Sequence, residues 1–124
     1  MLILNNIMNV SLLNGDEIIC NVSKHIEVIE GLEQEVCYKL SFPFVVTEIN
    51  DGQQLNFLPW KKWSRDTEYL VSYDMILNIS APFPNMEKEY QQAAQKYATM
   101  LESLNYVAAD YDSAPANPGY SPIA

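Results

Sequence analysis

Met8-Asn9-Val10-Ser11-Leu12-Leu13-Asn14-Gly15-Asp16-Glu17-Ile18-Ile19-Cys20-Asn21-Val22 is the stretch that decides how this chain folds. Apolar residues recur at every second position, at Met8, Val10 and Leu12 and again at Ile18, Cys20 and Val22. That is the period of a strand with one face buried. Asn14-Gly15 between the two runs is the strongest short hairpin signal, because both residues tolerate a positive φ. A second stretch, Val71-Ser72-Tyr73-Asp74-Met75-Ile76-Leu77-Asn78-Ile79, repeats the pattern around a turn at Ser72-Tyr73-Asp74.

Between these two landmarks the chain continues to read as strands. Ile26, Val28 and Ile29 extend the second strand, and a loop should follow, with Gly31 as its turn and the acids Glu27, Glu30, Glu33 and Glu35 around it. Val36, Tyr38 and Leu40 alternate again and run on to Val46. Pro43 cannot donate to a ladder, so it predicts a bulge or an edge. Asn50-Asp51-Gly52 is a second hairpin turn, with Leu55, Phe57 and Leu58 on the return strand and Pro59 marking an edge or a kink. Tyr69 to Val71 is extended, and Met75 to Ser80 is the last strand.

After Pro82 and Pro84 the period changes. Asn85 reads as an N-cap, with Glu87 and Glu89 in the first turn. Tyr90, Ala94, Tyr97, Leu101 and Leu104 then step by four, three, four and three, an apolar helical stripe. It could be a seam for a partner helix; packing against the chain's own sheet is favoured, since two heptads are short for a free coiled coil. The expected organisation is a barrel over 1–82, a helix over 83–105 and a flexible tail over 106–124.

Composition bounds the function. The chain has 124 residues, 16 acids against 7 bases and a formal charge of −9. One domain is expected, and such a surface repels nucleic acid unless the bases gather in one place. No stretch is long and apolar enough to span a membrane. Met1-Leu2-Ile3-Leu4 lacks the basic flank of a signal peptide, so a soluble, cytoplasmic protein is expected. Cys20 and Cys37 lack metal-ligand spacing and read as small buried thiols on neighbouring strands. His25 is the lone imidazole and has no nucleophile that the sequence nominates. The four clustered glutamates lack the ligand loop of a calcium site. We expect no enzyme activity, no metal and no cofactor.

The strongest candidate contact is Trp60-Lys61-Lys62-Trp63-Ser64-Arg65, which gathers both tryptophans and three of the seven bases. Aromatics interleaved with cations can stack bases and hold phosphates. Equally, one Trp can anchor a core while the lysines guard an exposed edge.

The two alternating stretches resemble the two motifs of the Sm-like family. Gly15, Ile18 and Cys20 fill the first motif's turn Gly, its apolar position three residues on and its small residue two later. Val71, Asp74, Ile76 and Ile79 keep the spacing of the second, whereas Ser72 and Tyr73 stand where the family carries Arg-Gly. Pro59-Trp60, Ala81-Pro82 and a helix from Asn85 occur in the order seen in the Sm-like proteins of marine cyanophages. This resemblance covers about residues 8–104. It implies a mainly β fold, a five-stranded, strongly bent antiparallel barrel followed by a C-terminal α-helix. It also implies closed homo-oligomeric rings, about five to eight subunits in the family, in which the fourth strand of one subunit pairs with the fifth of the next. Met75, Ile76, Leu77, Leu55 and Phe57 are the candidate interface residues. The family's uridine site needs an Asp and an Asn after the second strand and the Arg that Ser72 replaces, so it is not expected here. Asp74 remains, as a cap of its turn, and Tyr73 is a candidate stacking residue.

Two functions follow as expectations. The first is a ring-forming assembly or scaffold module of phage origin, acting in the host bacterial cytoplasm, with the helix available to a protein partner. The second is an RNA-binding ring in RNA processing or regulation, contacting RNA through Trp60, Lys61, Lys62, Trp63, Arg65 and Tyr73.

Overall fold

A computed structural model describes residues 2–112. The strands are β1 (Ile7–Leu12), β2 (Glu17–Ile29), β3 (Leu32–Ile49), β4 (Gln54–Pro59), β5 (Glu68–Val71) and β6 (Ile76–Ser80), followed by helix α1 (Pro84–Asp112). Five antiparallel strands follow the order β4-β3-β2-β1-β6, and the short β5 pairs with β3 off that path. The sheet curls strongly into a half-barrel, so the expected mainly β fold, bent barrel and C-terminal helix are present.

The turns explain the register. In the first hairpin only Gly15 takes a positive φ, +95°, and Asn14 does not. Leu12 N–H donates to the Asp16 carbonyl at 2.8 Å, Gly15 N–H to the Leu12 carbonyl at 3.0 Å, and the Asn14 side chain accepts from Asp16 N–H at 3.0 Å. This is a longer, side-chain-braced turn rather than the two-residue turn that Asn-Gly suggests. The two-residue turn occurs where a loop was expected: Glu30 (φ 53°) and Gly31 (φ 82°) join Ile29 directly to Leu32. Positive φ at both central positions matches the twist of the flanking strands. The expected loop is therefore a continuous β2–β3 arm.

Both faces of the sheet are covered, with β3 changing face midway. Asn21 pairs with Ser41 but Ile19 pairs with Phe44, so β3 carries one extra residue at Phe42-Pro43. One residue reverses the alternation of a strand. Before the bulge Leu40 points into the curl; after it Val45 does, while Phe44 and Val46 point outward. The inner core is Val10, Leu12, Ile18, Cys20, Val22 and Leu40. The outer layer sets Ile7, Ile19 and Phe44 against Tyr90 and Ala94 of α1.

Helix α1 thus packs on its own sheet, through Tyr90, Ala94, Tyr97 and Leu101, while Leu104 is exposed. It starts at Pro84, before the expected cap Asn85: Glu87 N–H donates to the Phe83 carbonyl at 3.0 Å, which puts Pro84 in the first turn, where its missing N–H costs nothing. Asn85 is therefore inside the helix and is not its cap. The helix also continues through 106–112, beyond the expected end at 105. The rest of the expected tail, 113–124, lies outside the described residues. The N-terminal Leu2 is tied to α1 by two hydrogen bonds: its N–H donates to Gln95 and its carbonyl accepts from Gln91. Cys20 and Cys37 are both buried free thiols. No described helix is long and apolar enough to cross a membrane.

Candidate functional site

The Trp60–Arg65 segment leaves β4 at Pro59 and turns back toward β5. Its two tryptophans have different fates. Trp60 packs against the inner core, its indole N–H donates to Asp16 at 3.0 Å, and its ring meets Tyr69 edge-on at 5.5 Å. Its backbone N–H donates to the Pro43 carbonyl. Trp60 therefore fastens the end of β4 to the first hairpin and to the bulge. Trp63 is 91% exposed and touches no core.

The cations follow the same division. Lys61 lies over the Trp60 ring at 4.2 Å, and Lys62 over Trp63 at 5.3 Å. Among the described residues, neither lysine nor Arg65 takes part in an ion pair, whereas Lys24 pairs with Glu35 and Lys39 with Glu68. Lys62, Trp63 and Arg65 rim a shallow groove whose floor is Pro59, Tyr97, Met100, Leu101 and Leu104. A cationic corner with an aromatic blade and an aliphatic floor results.

Tyr73 is not part of that corner. It lies in the 3-10 turn Tyr73–Met75 and stacks edge-on against Tyr38 at 4.7 Å, past the far end of β5. Its hydroxyl is held above the usual phenol range, by partial desolvation first and by the nearby Glu35 carboxylate next. A carboxylate there disfavours a phosphate. The turn is capped by Ser72, whose hydroxyl accepts from Asp74 N–H at 3.4 Å. Asp74, expected as the cap, is instead the residue whose N–H is capped.

The candidate interface residues also divide. Ile76 faces the inner core, while Met75 and Leu77 are exposed on the β6 side. Phe57 points out of the curl toward α1, edge-on to Phe44 at 6.5 Å and near Tyr90 at 6.4 Å. Leu55 lines an open groove between β4 and α1 with Phe57, Tyr97 and Met100.

The main feature that sequence reading missed is the β2–β3 arm. Beyond Lys24 and Tyr38 no third strand or helix among the described residues covers it, and Ile26, Val28, Ile29, Leu32 and Val36 are exposed. The Glu30-Gly31 pair was the signal, obscured because Glu is an unusual first residue for such a turn. His25 sits at the arm's base, its Nε2 3.2 Å from Glu27.

A comparison with protein-family models finds no match, and a comparison with curated proteins finds none either.

Proposed function

We propose that this chain is a self-assembling module of the Sm-like type, whose subunits join head to tail through exposed strand edges into a closed ring that serves as a scaffold. The observation that carries this reading is the open edges on the two sides of the sheet. Among the described residues β6 is hydrogen-bonded only to β1, and β4 and β5 only to β3. Open edges are templates for pairing, and proteins that stay monomeric guard them with lysine, proline or a bulge on the edge. The β6 sequence Ile-Leu-Asn-Ile-Ser has no charge and no proline; it carries a bulge at Leu77, which is 68% exposed. Pairing of two different edges is heterologous, so rotation that closes gives a ring.

Sedimentation velocity at micromolar concentration tests this. A multi-subunit species is expected, and Leu77→Lys should shift it to the monomer. A wild-type monomer overturns the proposal.

A second reading, an RNA-binding ring, has one observation in its favour: the unpaired Lys62 and Arg65 beside the exposed Trp63. A uridine site of the family's type is not part of it, since Ser72 is a turn cap and Tyr73 stacks on Tyr38. Fluorescence anisotropy with oligo(U), oligo(A) and mixed RNA decides it. Affinity weaker than about 100 μM, the weak end of non-specific binding, rejects it.

A further inference from the structure

Two parts of the surface, one at the start of β3 and one beside its bulge, carry opposite chemistry. The β2–β3 arm is aliphatic and acidic. Val28 is 69% and Leu32 66% exposed, because a two-stranded ribbon has no second layer to cover its faces. Of its glutamates, Glu35 is held by Lys24 and Glu27 lies beside His25, while Glu30 and Glu33 have no ion-pair partner among the described residues. The corner formed by Lys62, Trp63 and Arg65 is cationic and aromatic over an apolar floor.

The chain cannot satisfy this complementarity within itself. β3 begins at Leu32 in the arm and reaches Pro43, whose carbonyl holds the start of the corner through Trp60 N–H. Eleven strand residues span up to about 36 Å. Midway, Tyr38–Ser41 is paired on one side with β2 and on the other with β5, which holds the base of the arm. Within the described chain, Glu30 and Glu33 pair with neither Lys62 nor Arg65, so both surfaces are open to a second molecule.

We propose that the arm of one copy docks on the cationic corner of the next. Val28 lies against Trp63 and the Met100–Leu104 face of α1, and Glu33, its cross-strand neighbour on the same face of the arm, faces Lys62 and Arg65 together with Glu30 of the turn. The contact joins two different surfaces, so it propagates head to tail. Part of it is electrostatic and solvent-exposed, so it weakens with salt. The apolar floor favours a partly apolar protein segment over a nucleic acid here. This inference rests on the self-assembly reading and adds to it a contact separate from the strand edges.

Charge exchange tests it by sedimentation velocity on the full chain. Glu30→Lys/Glu33→Lys places like charges on both surfaces of every copy, as does Lys62→Glu/Arg65→Glu. Each variant alone should self-associate at least about ten-fold more weakly than wild type, and an equimolar mixture of the two should recover the wild-type species. Circular dichroism of each variant checks that it is folded, and recovery on mixing excludes damage to the fold. If both variants keep the wild-type assembly, the arm contact is wrong and edge pairing stands alone. If wild type is a monomer throughout, both proposals fall. If the corner variant keeps its assembly but loses single-stranded RNA binding, the corner is a nucleic-acid site and the arm contact is overturned.

Discussion

The Tyr90 hydroxyl donates to the Phe42 carbonyl at 2.8 Å, joining residues 48 apart in sequence. Phe42 has a φ of +50°, a left-handed conformation that is unfavourable for a bulky L-residue by about 1–2 kcal/mol. Its N–H donates to the Thr67 carbonyl, and its carbonyl is met by Tyr90, so both peptide groups of the bulge are satisfied. Tyr90 is fully buried and also donates to the Ser41 carbonyl at 3.2 Å. The helix thereby holds the bend that lets β3 serve both faces of the sheet.

Tyr90→Phe should retain the ring packing against Phe44 and lose the hydroxyl. A buried carbonyl left without its donor costs about 1–3 kcal/mol. Urea denaturation should show a lower midpoint at unchanged slope. An unchanged midpoint would mean that the hydroxyl does not hold the bulge.

Glu30→Asn should stabilise the protein by about 0.5 kcal/mol or slightly more, because Asn tolerates the left-handed first position of a two-residue turn better than Glu does. Glu30 is exposed and its φ is 53°, so no packing is lost. A thermal melt checks this, and a fall in the midpoint would argue against the turn.

Burial pushes the Cys20 thiol up to about 12. Unfolded, it ionises near the ordinary thiol range, about 8.5. Between those values the unfolded chain binds fewer protons than the native one, so stability is intact below pH 8.5 and falls as pH rises toward 12. The slope from this group approaches about 1.4 kcal/mol per pH unit. Urea midpoints at about pH 8, just below the window, and at about pH 9.5 and 10.5, inside it, should fall more steeply for wild type than for Cys20→Ala. Equal slopes would remove Cys20 from the titration.

The two tryptophans should be separable in solution. Iodide should quench Trp63 emission and leave Trp60 emission largely intact, since Trp60 is lodged between the inner core and Tyr69. Trp60→Phe should cost about 1–3 kcal/mol by removing the indole hydrogen bond to the Asp16 carboxylate, which keeps Asn14 as a donor. Trp63→Ala should stay within about 0.5 kcal/mol of wild type. Comparable losses in both variants would contradict the division of roles.

Much of the architecture was legible because it rests on local rules. The period-two pattern at Val10, Leu12, Ile18, Cys20 and Val22 names the inner core, and Pro43 announces the bulge by lacking a donor. The four-three steps from Tyr90 to Leu101 mark the helix face that the sheet covers. The candidate site was legible only as a composition. Trp60-Lys61-Lys62-Trp63 reads as one aromatic and cationic run, yet one Trp is structural and the other is bare. Nothing local separates them, because the separation depends on Asp16, which is 44 positions away.

The alternation of apolar residues, the turn chemistry and the change of period at Pro84 dictate strands, then a helix, since each is a preference of a few neighbouring residues. Which face of each strand meets the helix, which tryptophan stays outside, and that Glu27–Glu35 project as an arm were set by contacts distant in sequence. A side chain's surroundings, unlike its backbone preference, are supplied by whatever the folded chain brings beside it.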